Sequence, residues 1–230
     1  MRDVRCVSHW AGFSWVVGLV ALLAPAAGAM TLDFTLLADG ASVQGQDVGF
    51  GVIASSPDDL GAAIFDTAAP SNCAPGAPDQ DLCVADQGPI LIVQSPNNST
   101  QSVAGSFDVP DDRVGFVLDL MWPEPVTLES LTLVDWNGNT DGSAITLTDA
   151  MGNTATWGFP FEDWTGEVPG TDGKGAFDLQ NFAAQNDDGG PFSSAAVFAG
   201  PGTFDGTQVE KLSISNPSSG GIDDVVFTPE

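Results

Sequence analysis

Carboxylates dominate the side chains of this chain that could do chemistry. It carries 31 Asp and Glu against 5 Lys and Arg, one His and no Tyr. The histidine, His9, lies in an N-terminal segment that reads as removable. Taking away Arg2, Asp3 and Arg5 with that segment leaves 30 acids against 3 bases, a net charge of −27. The remaining bases are Arg113, Lys174 and Lys211. Without His, a Ser-His-Asp or Cys-His nucleophile is excluded within one subunit, and so is a histidine-ligated zinc or iron. The chemistry left to carboxylates is hard-cation binding, above all calcium, hydrogen bonding to hydroxyl-rich ligands, and paired-acid hydrolysis.

Three stretches concentrate that potential. In Thr156-Trp157-Gly158-Phe159-Pro160-Phe161-Glu162-Asp163-Trp164, aromatic faces that stack on sugar rings stand beside two acids. Trp157 and Phe159 read as core. Phe161, Glu162, Asp163 and Trp164 follow Pro160 and are expected on an exposed ligand-binding patch. Adjacent acids such as Glu162 and Asp163 would serve a glycosidase only at the right spatial separation, which adjacency does not specify. In Asp135-Trp136-Asn137-Gly138-Asn139-Thr140-Asp141-Gly142 the acids resemble a calcium loop, but the twelfth position is Thr146 and not the required Glu, so a turn is expected. At the C-terminal end, Ile222-Asp223-Asp224-Val225-Val226-Phe227 in extended form puts Asp223, Val225 and Phe227 on one side. A carboxylate at the rim of a core must be hydrogen-bonded or metal-bound, so Asp223 reads either as a turn cap or as a calcium ligand.

The elements that must position these groups are strands. No 3.6-residue apolar period is sustained after residue 29, and short apolar or alternating runs recur between Gly, Pro, Asn and Asp clusters. The expected strands are Thr31–Leu37, Val48–Ala54, Ala62–Phe65, Pro89–Gln94, Gly105–Val109, Val114–Leu120, Val126–Trp136, Ala144–Asp149 and Thr154–Phe159. Gly175–Leu179, Ser194–Ala199, Gln208–Asn216 and Ile222–Thr228 complete the set. The pair Ile145–Asp149 and Thr154–Trp157, with Gly152 between, is expected as a β-hairpin. Within Val126–Trp136 the alternation puts Val126, Leu128, Ser130, Thr132 and Val134 on one face and Leu131 and Leu133 on the other. Two long loops, Asp66–Gly88 and Asn181–Pro191, interrupt the pattern.

Residues 1–29 read as a secretory signal: Arg2 and Arg5, then the apolar run Trp10–Leu23, then Ala27-Gly28-Ala29 as a cleavage site. A retained anchor is the alternative, disfavoured because the apolar core is shorter than the ~20 residues of a spanning helix. Residues 30–230 then form one domain, secreted to the extracellular space or the cell surface, with no second apolar span. Cys6 leaves with the signal, and Cys73 and Cys83 remain as a pair expected to form a disulfide in an oxidising compartment. The acidic balance argues against nucleic-acid and anionic-lipid partners, which need basic patches.

The closing run Ile222–Phe227 resembles the last strand of galactose-binding-like jelly rolls, a fold shared by many carbohydrate-binding modules. Ala63-Ile64-Phe65-Asp66-Thr67-Ala68-Ala69-Pro70, Asp79-Gln80-Asp81-Leu82 and Ile90-Leu91-Ile92-Val93-Gln94 are similar in order to segments of secreted bacterial β-sandwich proteins, often those with a PEP-CTERM sorting tail. The resemblance implies an all-β fold, a single jelly-roll β-sandwich with long loops. It also implies a structural Ca2+ held by Asp66, Asp79, Asp81 and Asp223, with Asp33 a further candidate. The sequence ends at Thr228-Pro229-Glu230 without the apolar tail and basic cluster of that sorting signal, which leaves membrane sorting by that route unsupported. The function expected from all of this is a non-catalytic, calcium-stabilised module that binds a polysaccharide or cell-surface glycan. A structural envelope or matrix protein and a hydrolase with paired carboxylates are the alternatives.

Overall fold

A computed structural model of the chain describes residues 28–78, 82–83, 88–134, 142–159, 175–178 and 196–230. Its described residues are strands, turns and one 3₁₀ turn, Pro96–Asn98. The strands are β1 (Met30–Leu32), β2 (Gln46–Asp47), β3 (Ile53–Ser55), β4 (Ala62–Asp66), β5 (Pro89–Val93), β6 (Phe116–Val134), β7 (Ser143–Asp149) and β8 (Thr154–Phe159). After them come β9 (Gly175–Asp178), β10 (Val197–Ala199), β11 (Val209–Asn216) and β12 (Gly221–Pro229). All pairings are antiparallel, and the main order is β10-β8-β7-β11-β6-β12-β5-β4. The expected sandwich-like all-β fold is present.

The organising element is β6, a strand of 19 residues where two separate strands were expected. Its first part, Phe116–Met121, pairs with β11 and β3. Its last part, Val126–Val134, pairs with β12 and, toward its end, with β9. Between them Trp122-Pro123-Glu124-Pro125 leaves the ladder: Met121 and Val126 face Lys211 and Val209 of β11, with only Glu210 between. Two prolines without N–H groups cannot sustain pairing there. The two parts of β6 enclose one core. Leu118, Leu120, Ile145, Leu147, Trp157, Leu212 and Ile214 come from one side, and Leu91, Val93, Leu128, Leu131, Leu133, Ile222, Val225 and Phe227 from the other.

The strand β12 corrects the expected side-chain pattern. Its register against β6 slips between Asp223 and Val226, and Asp224 takes a left-handed φ of 46°. This bulge puts Ile222, Val225 and Phe227 together in the main core, so Asp223 does not share their face. A second slip, between Val226 and Phe227, lets Leu128 join Leu131 and Leu133 in that core, whereas strict alternation separates them. Val134 instead meets Phe65, Ile90, Ile92 and Phe107 in a smaller cluster on the outer face of β4, β5 and β12. Leu82, fully buried, packs into that cluster, with Cys83 beside it. Cys83 is bonded to Cys73 as expected, so the disulfide fastens the segment that covers this outer face.

Other expected strands also gave way to turns. Thr31–Leu37 is cut to β1, because Phe34 turns to φ 53°. Gly105–Val109 contributes only an isolated bridge at Ser106. The hairpin of β7 and β8 has the expected pairing, Ile145 opposite Trp157 and Leu147 opposite Ala155. Its turn is held by Asp149, which is 3% exposed. The Asp149 carboxylate accepts from the N–H groups of Met151 (2.9 Å), Asn153 (2.8 Å) and Asp205 (3.0 Å) and from Asn153 Nδ2 (2.9 Å). Among the described residues, no helix is long and apolar enough to cross a membrane.

Candidate functional site: an aromatic groove

The excursion Trp122–Pro125 meets the loop between β2 and β3 and the end of β12. Together they line a groove of about 350 Å³, walled by Phe50, Trp122, Pro123, Pro125, Phe227 and Pro229, with Glu124 and Glu230 at its polar edge. Phe227 forms the floor. Its ring meets Phe50 and Trp122 edge-to-face, each with centroids 5.8 Å away. Phe227 and Trp122 are buried, but Phe50 is 57% exposed.

Phe50 is held there by an unfavourable backbone. Its φ is 54°, in the left-handed region that costs a non-glycine residue about 1–2 kcal/mol. Gly49 (φ 137°) and Gly51 (φ 79°) flank it. A Cβ on Gly49 would lie 2.8 Å from Leu32 Cδ1, and one on Gly51 would lie 3.1 Å from Pro123 Cγ. The loop is clamped from below by Asp47, whose Oδ1 accepts from the N–H groups of Gly49 (2.8 Å) and Gly51 (3.2 Å). Val48 and Val52 close it with backbone hydrogen bonds, Val48 N–H to the Val52 carbonyl and Val52 N–H to the Gly49 carbonyl. A strained, exposed aromatic residue fixed by a dedicated carboxylate is the kind of local cost that accompanies binding sites.

A second groove, about 380 Å³, lies on the other side of Phe50 and is lined by Thr31–Leu37, Val48 and Gly49. Leu36 there is 97% exposed. Asp33, a candidate calcium ligand by sequence, stands in this groove and accepts from the Thr35 N–H and hydroxyl. Trp122 adds one further feature. Its indole Nε1 is buried and has no hydrogen-bond acceptor among the described residues.

A polar cavity of about 430 Å³ is lined by Ser95, Asn97, Asp111, Asp112, Arg113 and Ser219. Its two acids are buried but engaged in holding the fold. Asp111 Oδ2 accepts from Asn98 Nδ2 at 2.5 Å, and Asp112 Oδ2 accepts from the Gly220 N–H. Arg113 is paired with Asp58 at 3.3 Å. The aromatic groove, whose costs have no such structural return, is the stronger candidate.

Phe161, Glu162, Asp163 and Trp164 lie outside the described residues, as do Asp79 and Asp81. Asp66 ends β4 half-buried, and its Oδ1 accepts from the Ala68 N–H at 2.9 Å. Asp223 is buried, 2% exposed. Register puts these two on opposite faces of their sheet. Ile222 pairs with Leu91 and Leu91 with Ile64, so Asp223 aligns with Ile90 and Phe65, whereas Asp66 pairs with Pro89. The aromatic groove itself went unread in the sequence. Gly49-Phe50-Gly51 after an Asp was a turn signal that the apolar run Val48–Ala54 concealed.

The chain matches no protein-family model and no curated protein.

Proposed function

We propose that this protein is an exported, non-catalytic module that binds a polysaccharide or cell-surface glycan in the groove around Phe50. The observation that carries the reading is Phe50 itself: half-exposed, left-handed, and clamped by Asp47 over Phe227 and Trp122. A sugar ring offers an apolar C–H face to such an aromatic surface and hydroxyls to carboxylates at its edge, here Glu124 and Glu230. Glu230 is steadied by the Thr127 hydroxyl at 3.0 Å. Two grooves meeting at one ring suit a chain ligand better than a small molecule. Export is supported by the signal-like N-terminus and by the Cys73–Cys83 bond, which belongs to an oxidising compartment. The module is calcium-stabilised through Asp66, Asp79, Asp81 and Asp223, a reading supported by the chain's surplus of acids.

The test is a glycan array with the mature chain and its Phe50→Ala variant. Binding to at least one polysaccharide is expected, weakened about tenfold or more in the variant, as loss of a central aromatic anchor does. The melting temperature should be little changed, because the ring is mostly outside the core. Clean negatives across the array would favour a structural envelope role. A melting loss equivalent to about 3–5 kcal/mol would make Phe50 a core lid.

A further inference from the structure

We propose that the ligand of the Phe50 groove is a basic glycan, one whose sugars carry protonated amines. This rests on the glycan reading above and adds the charge of the ligand. Among the described residues, no Lys or Arg lines either groove. The charges that do are Glu124 and Glu230 beside the aromatic wall and Asp33 on the far side of Phe50. Asp47, which accepts from the Gly49 and Gly51 N–H groups on either side of Phe50, adds a fourth carboxylate nearby.

The two bases among the described residues change nothing. Lys211 pairs with Met121, next to Trp122, but its Nζ is held by Asp119 at 2.8 Å. Arg113 is likewise neutralised by Asp58. The field over the groove is therefore negative, set locally by carboxylates and at longer range by a chain of net charge −26. A uronate or sulfated polymer would be repelled, and a neutral one would gain nothing from the field. An ammonium beside Glu124 or Glu230 gains an ion pair, and over the face of Phe50 it gains a cation–π contact. The ligand class with both an apolar ring face and a cation is an amino-sugar polymer with free amines.

The experiment compares a glucosamine hexamer with its fully N-acetylated counterpart, at a pH where amines are protonated and carboxylates ionised. It is run by calorimetry in low and high salt. The free-amine hexamer should bind severalfold more tightly, and the gap should shrink in high salt as exposed pairs are screened. Glu124→Gln and Glu230→Gln should each weaken the free-amine hexamer by about two- to fivefold and leave the acetylated one unchanged. Phe50→Ala should weaken both.

Because a polycation adsorbs to any acidic protein, Asp59→Asn, on an exposed residue outside both linings, serves as a charge-matched control. An equal loss in that control would overturn the inference in favour of non-specific adsorption. Equal, salt-independent binding of the two hexamers would overturn it while leaving the glycan reading standing. Binding of oligolysine with the same dependence on Phe50 and Glu124 would make the occupant a basic peptide. No binding of any glycan would end the glycan reading and this inference together.

Discussion

Replacing Asp149 with Ala should destabilise the protein by about 2–6 kcal/mol. The Asp149 carboxylate satisfies three backbone N–H groups and the Asn153 amide, joining the turn of the β7–β8 hairpin to the segment that leads into β11. Met151 is exposed, so its N–H can turn to water after the substitution. Asn153 is 3% exposed, and its N–H and Nδ2 would each lose a partner. Leaving a buried donor unsatisfied costs about 1–3 kcal/mol, which sets the range for two of them. In a domain of this size, each kcal/mol lowers the melting temperature by about 2–4 °C, so a fall of about 4–24 °C is expected. Burial pushes the Asp149 carboxyl up, but the hydrogen bonds from Asn153, Asp205 and Met151 outweigh it and hold it below the ordinary aspartate range. Its stabilisation is therefore fully present above about pH 4, the usual unfolded value, and is lost as pH falls through the lower folded value. Calorimetric melts of both proteins at neutral pH and in acid test this. A neutral-pH difference under about 1 kcal/mol, or a difference that does not shrink in acid, would refute the reasoning.

Four other outcomes are expected. Phe50→Ala should reduce glycan binding with little effect on the melt, as read by array and calorimetry. Thiol labelling of the native protein should find Cys73 and Cys83 blocked, and reduction should cost about 2–3 kcal/mol, the worth of closing a short loop; two reactive thiols would contradict the bond. Gly49→Ala should lower stability by about 1–3 kcal/mol, because its Cβ would press on Leu32 at 2.8 Å in a conformation that disfavours side chains; a neutral melt would show that the loop can relax. Calcium at a hundred times its dissociation constant should add about 2.7 kcal/mol, so a chelator should lower the melting temperature, and an identical melt with and without it would remove calcium from the proposal.

Local pattern gave the all-β character, the β7–β8 hairpin, the central apolar strands and the cysteine pair, because each depends on residues close in sequence or on a count. A run such as Ile90–Val93 can hardly be anything but a buried strand, and only two cysteines follow residue 29. That the chain's single histidine, His9, lies in the N-terminal segment was likewise plain before any fold was known. Tertiary structure decided what alternation could not. The slips of β12 against β6 moved Asp223 off the face of Val225 and Phe227, and no single-strand pattern encodes a bulge in a pairing. The same register separated Asp66 from Asp223, which lie more than 150 residues apart in sequence. The aromatic groove needed three distant segments at once: the Asp47–Val52 turn, the Trp122–Pro125 excursion and the end of β12. Sequence determines which groups are available and how short runs fold. Whether Phe50 meets Trp122 and Phe227 is fixed by long-range pairing, and only the folded chain brings those rings together.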